Sequence, residues 1–340
     1  MVKTEWNGKQ ENSNFQTDKN IILLSKKLLK YALKNDIINM IMVFNQLLNE
    51  KWEDKCMLNF TKMHGIGNDY IYVNCFKEKV NNPEKLSIFI SDRHFGVGSD
   101  GLVLIMPSDK ADFRMRIFNA DGSEAMMCGN ATRCIGKYVY DMGLTDKTEV
   151  SLETNSGIKY LKLFVKDGKV ESVTVDMGKA VLDARSIPID ADGETYVNQP
   201  ITVDGKDLRV TCVSMGNPHA VYYVDDTESL DLEKIGSSFE NHKLFPNRVN
   251  TEFIKVIERN VLQMRVWERG SGETWACGTG ACASVVASVL NGYCDYDKEV
   301  LVHLRGGDLR ITYQKDGTVI MNGPATLVFN GTIDVDDIDK

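Results

Sequence analysis

"MMCGNATRC" spans residues 126–134 and "WACGTGAC" spans 275–282. In each, a cysteine is followed at once by glycine and a small or polar residue, and an apolar stretch then begins. A motif that recurs in one chain calls for a search for a repeat. Laying Cys128 on Cys277 gives an offset of 277 − 128 = 149. At that offset Met115 meets Met264, Arg116 meets Arg265, Glu124 meets Glu273 and Gly129 meets Gly278. Gly143 meets Gly292, and far upstream Gly67-Asn68 meets Gly216-Asn217. One ungapped register joining such distant points predicts two similar domains, each with a strand, a loop, a cysteine and a helix.

The helix after each cysteine is legible. Ile135, Tyr138, Val139 and Met142 form a stripe at helical spacing that ends at Gly143. Ala281, Cys282, Val285, Val286, Val289 and Leu290 are apolar almost all round, which predicts a helix buried inside its domain. Both Cys128 and Cys277 therefore fall at helix N-termini. From Met57 onward the rest is short β-like runs, such as Tyr70–Cys75, Leu102–Met106, Leu208–Ser214 and Gln263–Glu268. Most connections between them are too short for crossovers, so an α+β chain with antiparallel strands is expected.

The first 56 residues read differently. Residues 1–19 are polar, and 20–52 carry Leu24, Leu28 and Tyr31, then Ile37, Ile41, Phe44 and Leu48, at helical spacing. Asn35-Asp36 is a break between two helices. Either an appended helical hairpin packs on the body or a partner, or Met57 is the start. The expected organisation is an N-terminal helical extension over 1–56, a first domain over 57–176 to which 322–340 returns, and a second over 177–321.

At 340 residues, 43% apolar and 26% charged, the chain has room for two domains of ordinary globular composition. A net charge of −8 without basic clusters argues against nucleic acid and anionic membranes. Eight cysteines are too sparse for a disulfide framework, and no pair of CxxC motifs suggests zinc. No run reaches about 18 apolar residues, so no membrane-spanning helix is expected. No basic-then-apolar leader is present, and a reducing cytoplasm with free thiols is the expected setting.

A helix N-terminus offers unpaired N–H donors and a partial positive charge, which favour a thiolate and can also bind a carboxylate. A cysteine there is expected to have its pKa lowered toward neutrality. Two such sites facing one cleft make a symmetric pair, one thiolate removing a proton from carbon and one thiol returning a proton from the opposite face. That is what inversion of a stereocentre requires. Helix N–H groups converging on an α-carboxylate would stabilise the charge that develops. No cofactor is needed for this, and no metal is expected. Glu124 and Glu273 are expected to support their loops. The remaining cysteines read as small apolar core residues.

At these residues the sequence resembles the diaminopimelate epimerase family. The stretches that carry the likeness are "KMHGIGNDYIYVN" (62–74), "DRHFGVGSDGL" (92–102), "FNADGSEAMMCGNATRC" (118–134), "SMGNPHAV" (214–221), "FPNRVNTEF" (245–253) and "ERGSGETWACGTGAC" (268–282). They cover everything but the N-terminal segment. The resemblance implies a cofactor-independent isomerase interconverting L,L- and meso-2,6-diaminopimelate, in lysine and peptidoglycan biosynthesis. It also implies two pseudo-symmetric domains, each of antiparallel strands wrapped around a central helix. By the same likeness Cys128 is proton donor and Cys277 acceptor, with roles exchanged in the reverse direction. Substrate contacts carry over to Asn68, Asn119, Asn217, Asn250, Glu268 and Arg269, and to the backbone donors of Gly129-Asn130 and Gly278-Thr279. Arg269 would grip the distal carboxylate with two bonds and Glu268 would hold an ammonium. His219 would orient or poise the second thiol, or be a surface histidine without a role. Some family members carry Gln where this chain has Gly101, so that contact comes from backbone or water or is absent.

The expected partner is small-molecule diaminopimelate, with a homodimer as the assembly and neither nucleic acid nor membrane. The nearest rival is a proline or hydroxyproline racemase, which would want a small apolar pocket rather than Asn119, Asn217, Asn250 and Arg269. A binding protein that has lost catalysis would have lost a cysteine. A thiol-disulfide oxidoreductase would want CxxC, which Cys128 and Cys134 do not form.

Overall fold

The computed structural model describes residues 57–336. The two helices expected between residues 20 and 52 lie outside the described residues. Among these, the first half runs β1 (Met57–Gly65), β2 (Asn68–Asn74), α1 (Pro83–Ser91), β3 (Gly101–Met106) and β4 (Phe113–Asn119). It continues with β5 (Glu124–Ala125), α2 (Gly129–Asp141), β6 (Glu149–Thr154), β7 (Gly157–Lys166) and β8 (Lys169–Lys179). The second half runs β9 (Gln199–Val203), β10 (Lys206–Ser214), β11 (Pro218–Tyr223), α3 (Leu232–Glu240), β12 (Asn250–Glu258) and β13 (Val261–Glu268). It ends with β14 (Gly272–Thr274), α4 (Gly278–Leu290), β15 (Glu299–Leu304), β16 (Gly307–Tyr313) and β17 (Thr318–Pro324), followed by β18 (Thr326–Asp334).

The repeat read in the sequence is a repeat of pairing. Ile71 of β2 stands beside Leu102 of β3, and Ala220 of β11 beside Thr251 of β12, each 149 further on. α1 and α2 recur as α3 and α4 at the same offset. After the central helix one residue is gained: Glu149 opposite Lys162 becomes Glu299 opposite Thr312, an offset of 150. The α+β class with two similar halves is as expected.

The strand order is more mixed than short connections suggested. β2–β3, β4–β6, β11–β12 and β13–β15 are parallel, and the other pairs are antiparallel. Each parallel pair is bridged by a helix, α1, α2, α3 and α4 in turn, because a parallel step needs a crossover. The helices are the crossovers, which is why so few were visible among so many strands. The chain end returns to the first half, with β18 along β1 and β17 along β8.

α2 and α4 are the hubs. Every residue from Gly280 to Val289 is buried. Its Ala, Ser, Gly and Val side chains are small enough for strands to close around it, and each fully buried valine contributes roughly 1.5–3 kcal/mol. α2 is buried from Gly129 to Gly136 and shows Lys137 and Tyr140 toward the outside. Each hub ends in a glycine with positive φ, Gly143 at 72° and Gly292 at 81°, the usual left-handed stop. One core encloses both hubs, and smaller cores lie under α1 and α3.

Candidate active site

Cys128 and Cys277 are the N-cap residues of α2 and α4, both in extended backbone (φ −137° and −115°). Each cysteine therefore sits where the chain turns from a short strand into a buried helix. The loop before it is braced by a forked ion pair. Arg116 grips Glu124 at 2.8 and 2.9 Å, and Arg265 grips Glu273 at 2.8 and 2.9 Å. The paired glutamates support their loops, as their recurrence suggested.

The two thiols line one cavity of about 420 Å³. Gly129, Asn130, Gly278 and Thr279, the first residues of the two helices, line it with them. Asn68, Asn119, Asn217, Glu268 and Arg269 complete the polar wall. Asn68, Asn119, Glu268 and Arg269 also face an adjoining cleft of about 1160 Å³, which Arg93, Asp100 and Trp275 help to form.

Asn68 is delivered by the β1–β2 hairpin, whose tip residues Ile66 and Gly67 both have positive φ, 51° and 90°. Such a turn matches the twist of the strands, but the left-handed region disfavours a β-branched residue. Ile66 is held there by burial and by Gly306, where a Cβ would lie 1.8 Å from the Ile66 carbonyl oxygen. Asn68 Nδ2 donates to Asp100 at 2.8 Å, which turns Asn68 Oδ1 toward Asn130 Nδ2 at 3.1 Å and Cys128 Sγ at 3.6 Å.

Two expected contacts stand behind the wall. Asn250 is buried, donates to the Pro218 carbonyl at 2.9 Å and accepts from the Arg269 backbone N–H at 2.9 Å. It holds the strand end that carries Arg269. His219 is fully buried, which excludes the reading of a surface histidine without a role. Its ring lies between Glu252 and Asn217, 2.7 and 3.0 Å away. At Gly101 a Cβ would meet the Phe118 carbonyl oxygen at 2.0 Å and Tyr70 at 2.9 Å, so no longer side chain fits the backbone here.

The net pKa of both thiols moves upward, against the expectation from a helix N-terminus. For Cys128 burial is the largest cause, and the N–H groups of Ala131 and Asn130 only offset part of it. For Cys277 burial again comes first, followed by the charges of Glu268 and Glu252, while the Thr279 hydroxyl and the Gly280 N–H pull downward. Desolvation outweighs the helix, with Cys277 buried and Cys128 half-buried among the packed helices and strands. Glu268 is itself raised by burial, with hydrogen bonds from Thr274 at 2.5 Å and from Cys277 opposing.

Three contributors escaped the sequence reading: Glu252, fully buried beneath α4; Asp100, which turns Asn68; and Arg133, fully buried beside Asn130. Asp100 and Glu252 stand inside the quoted stretches, but nothing local marks a carboxylate as buried. Arg133 had a signal in the offset, because its counterpart 149 further on is Cys282. Among the described residues no cluster of three or more His, Cys, Asp or Glu could hold a metal. No described helix is long and apolar enough to cross a membrane.

The family model described as "Diaminopimelate epimerase" matches residues 60–182 and 211–328. A diaminopimelate epimerase of Agathobacter rectalis is 59% identical over 286 residues, 82% of this chain and 100% of that protein. One from Acetivibrio thermocellus is 57% identical, over 83% of this chain and 100% of that protein. A probable proline racemase from Agrobacterium radiobacter shares the fold with a TM-score of 0.64 at 14% identity, over 83% of this chain and 94% of that one. A hydroxyproline epimerase from Agrobacterium vitis gives 0.60 at 14%, over 83% and 93%. These distant structures speak for the fold alone.

Proposed function

The chain belongs to the diaminopimelate epimerase family, and from that premise we propose that Cys128 and Cys277 are the two proton carriers of its reaction. The enzyme interconverts L,L- and meso-2,6-diaminopimelate, a step of lysine biosynthesis. One observation carries the assignment of the thiols: the N-caps of the two repeat-related helices line the same cavity. A substrate carbon between them is exposed to a base on one face and an acid on the other. The thiolate takes the α-proton, the thiol returns its own proton to the opposite face, and the next turnover in reverse restores the starting state.

The other residues have roles that fit a ligand with an ammonium and a carboxylate at each end. The N–H groups at the starts of α2 and α4 receive the α-carboxylate and the charge that develops on it. Glu268, within hydrogen-bonding reach of Cys277, holds the ammonium of the reacting carbon. Arg269, exposed at the junction with the larger cleft, takes the distal carboxylate, with Asn119 and Asn217 beside it. Asn250 fixes the backbone of Arg269 beside the ligand. Both proton carriers are side chains, so the reading calls on no pyridoxal group.

The two lobes are taken as 57–176 with the returning chain end, and 177–321. Cytoplasmic placement fits seven described cysteines that are all unpaired. A homodimer fits the edge of β18, which among the described residues pairs with β1 alone and shows Val328 and Phe329 to solvent.

The test is α-proton exchange in D₂O with diaminopimelate and with proline as alternative substrates. Exchange with diaminopimelate and none with proline is expected. The reverse pattern would transfer the chain to the proline racemase reading.

A further inference from the structure

Behind Cys277 runs a line of hydrogen-bonded side chains, of which the reading above uses only Asn217 at the substrate. Glu252 and His219 are both fully buried, with Oε1 2.7 Å from Nδ1. His219 Nε2 is 3.0 Å from Asn217 Oδ1. Asn217 Nδ2 donates to Thr279 Oγ1 at 3.3 Å, and Thr279 Oγ1 lies 3.5 Å from Cys277 Sγ.

The polarity of this line follows from what each group can do. A carboxylate and an amide oxygen only accept. With one at either side, a hydrogen on each ring nitrogen of His219 satisfies both contacts, and Glu252 would then be the counter-ion. Asn217 then turns its NH₂ to Thr279, whose oxygen accepts, and the one hydroxyl hydrogen is left to point at Sγ. Sγ also accepts from the Gly280 N–H at 3.4 Å. Cys277 thus has a hydroxyl donor in addition to a helix N–H, with the carboxylate of Glu268 as acceptor, whereas Cys128 has only helix N–H donors and the acceptor Asn68 Oδ1. Were His219 neutral with its hydrogen on the Glu252 side, Asn217 would flip, Thr279 would donate to it, and Cys277 would lose the hydroxyl donor.

The other half has no such device. Subtracting 149 puts Val103 at the place of Glu252 and Tyr70 at that of His219. Room for Glu252 is made by Gly280, where a Cβ would come within 2.5 Å of Oε1. The carboxylate therefore sits under the positive end of α4. Its Oε2 has no hydrogen-bond partner among the described groups. A residue kept for stability alone would be better replaced by an apolar one.

We infer that Glu252 is a positioning residue, which holds His219 doubly protonated and so turns the Asn217–Thr279 hydrogen bonds toward Cys277, keeping that sulfur as the proton acceptor. The inference rests on Cys277 being a proton carrier. No proton travels along the line; it sets the direction of the hydrogen bonds. The other ionisable groups packed around are Glu268 on β13, Cys212 on β10 and Tyr222 on β11. Burial drives the thiol of Cys212 and the phenol of Tyr222 upward, so both stay protonated.

The test uses the whole protein and reads His219 and Cys277 directly. Nitrogen-15 NMR of the imidazoles, with His219 assigned by His219→Gln, should show both ring nitrogens protonated at neutral pH in the wild type and not in Glu252→Gln. Carboxamidomethylation followed by peptide mass should show Cys277 reacting at higher pH in Glu252→Gln than in wild type, with Cys128 unmoved. Thr279→Val should act in the same direction, and the double variant should add nothing further. A neutral His219 in the wild type, an unmoved Cys277, a shift to lower pH as for a bare anion, or additive effects would each overturn the inference. If Glu252→Gln does not fold, the wild-type spectrum and Thr279→Val still decide it. Wild-type exchange of the substrate α-proton in D₂O reports on the function itself, so the two failures are distinguishable.

Discussion

The carboxamide of Asn130 donates to the carbonyl oxygen of Ala276 at 3.1 Å, tying the turn that carries one thiol to the residue just before the other. Asn130 is held in that sense by Arg133, whose Nη2 donates to its Oδ1 at 2.9 Å. Arg133 is fully buried, and its other partners are the neutral acceptors Pro324 O, Gly129 O and Met321 Sδ.

Arg133→Met should leave Asn130 Oδ1 and the Pro324 carbonyl without their donor, costing about 1–3 kcal/mol of stability. Turnover should fall up to about 100-fold as the two sulfurs lose register across the substrate. Thermal unfolding together with turnover checks both; full activity in a destabilised variant would mean the tie is structural only.

Cys128→Ser and Cys277→Ser should each lose at least about 100-fold in turnover, the lower end of what a positioned acid or base supplies. Circular dichroism should be unchanged. A mild thiol oxidant should inactivate the wild type by joining the two sulfurs, reversibly with dithiothreitol, and should not form that bond in either variant. Wild-type rates in either serine variant would exclude the two-thiol mechanism.

Gly101→Gln supplies the longer side chain that the family resemblance suggested for this position and should be harmful here. The new Cβ would press on the Phe118 carbonyl oxygen at 2.0 Å and on Tyr70. A backbone atom cannot swing aside as a side chain can, so a loss of about 1–3 kcal/mol is expected in denaturant titration. A variant as stable as the wild type would show that β3 can move.

Stability should fall at alkaline pH through the core thiols. Burial pushes Cys282 up to about 12 and Cys134 up to about 11, from an ordinary 9.0. Below pH 9 folded and unfolded chains hold these protons equally, and the stability is fully present. Above it the unfolded chain releases them first, so stability declines as pH rises through 11 and 12. Cys282→Ala should flatten the fall of the unfolding midpoint across that window; an unchanged slope would assign it to other groups.

The amino-acid sequence by itself determined the repeat and the two helices with a thiol at each start, while most of the cavity wall was named only by the family resemblance. Those are local facts: apolar spacing, a glycine stop and a recurring cysteine need only neighbours along the chain. Tertiary structure decided the rest. Cys128 and Cys277 are pushed upward rather than down because the packed halves around them limit their contact with water. Asn250 lies behind Arg269, and Gly101 is closed by the Phe118 carbonyl, for reasons of register between β3, β4, β12 and β13. Glu252 and Arg133 look like surface charges in the text of the sequence. They became site residues only where α2 and α4 were wrapped, because burial and hydrogen-bond polarity belong to groups brought together from distant parts of the chain.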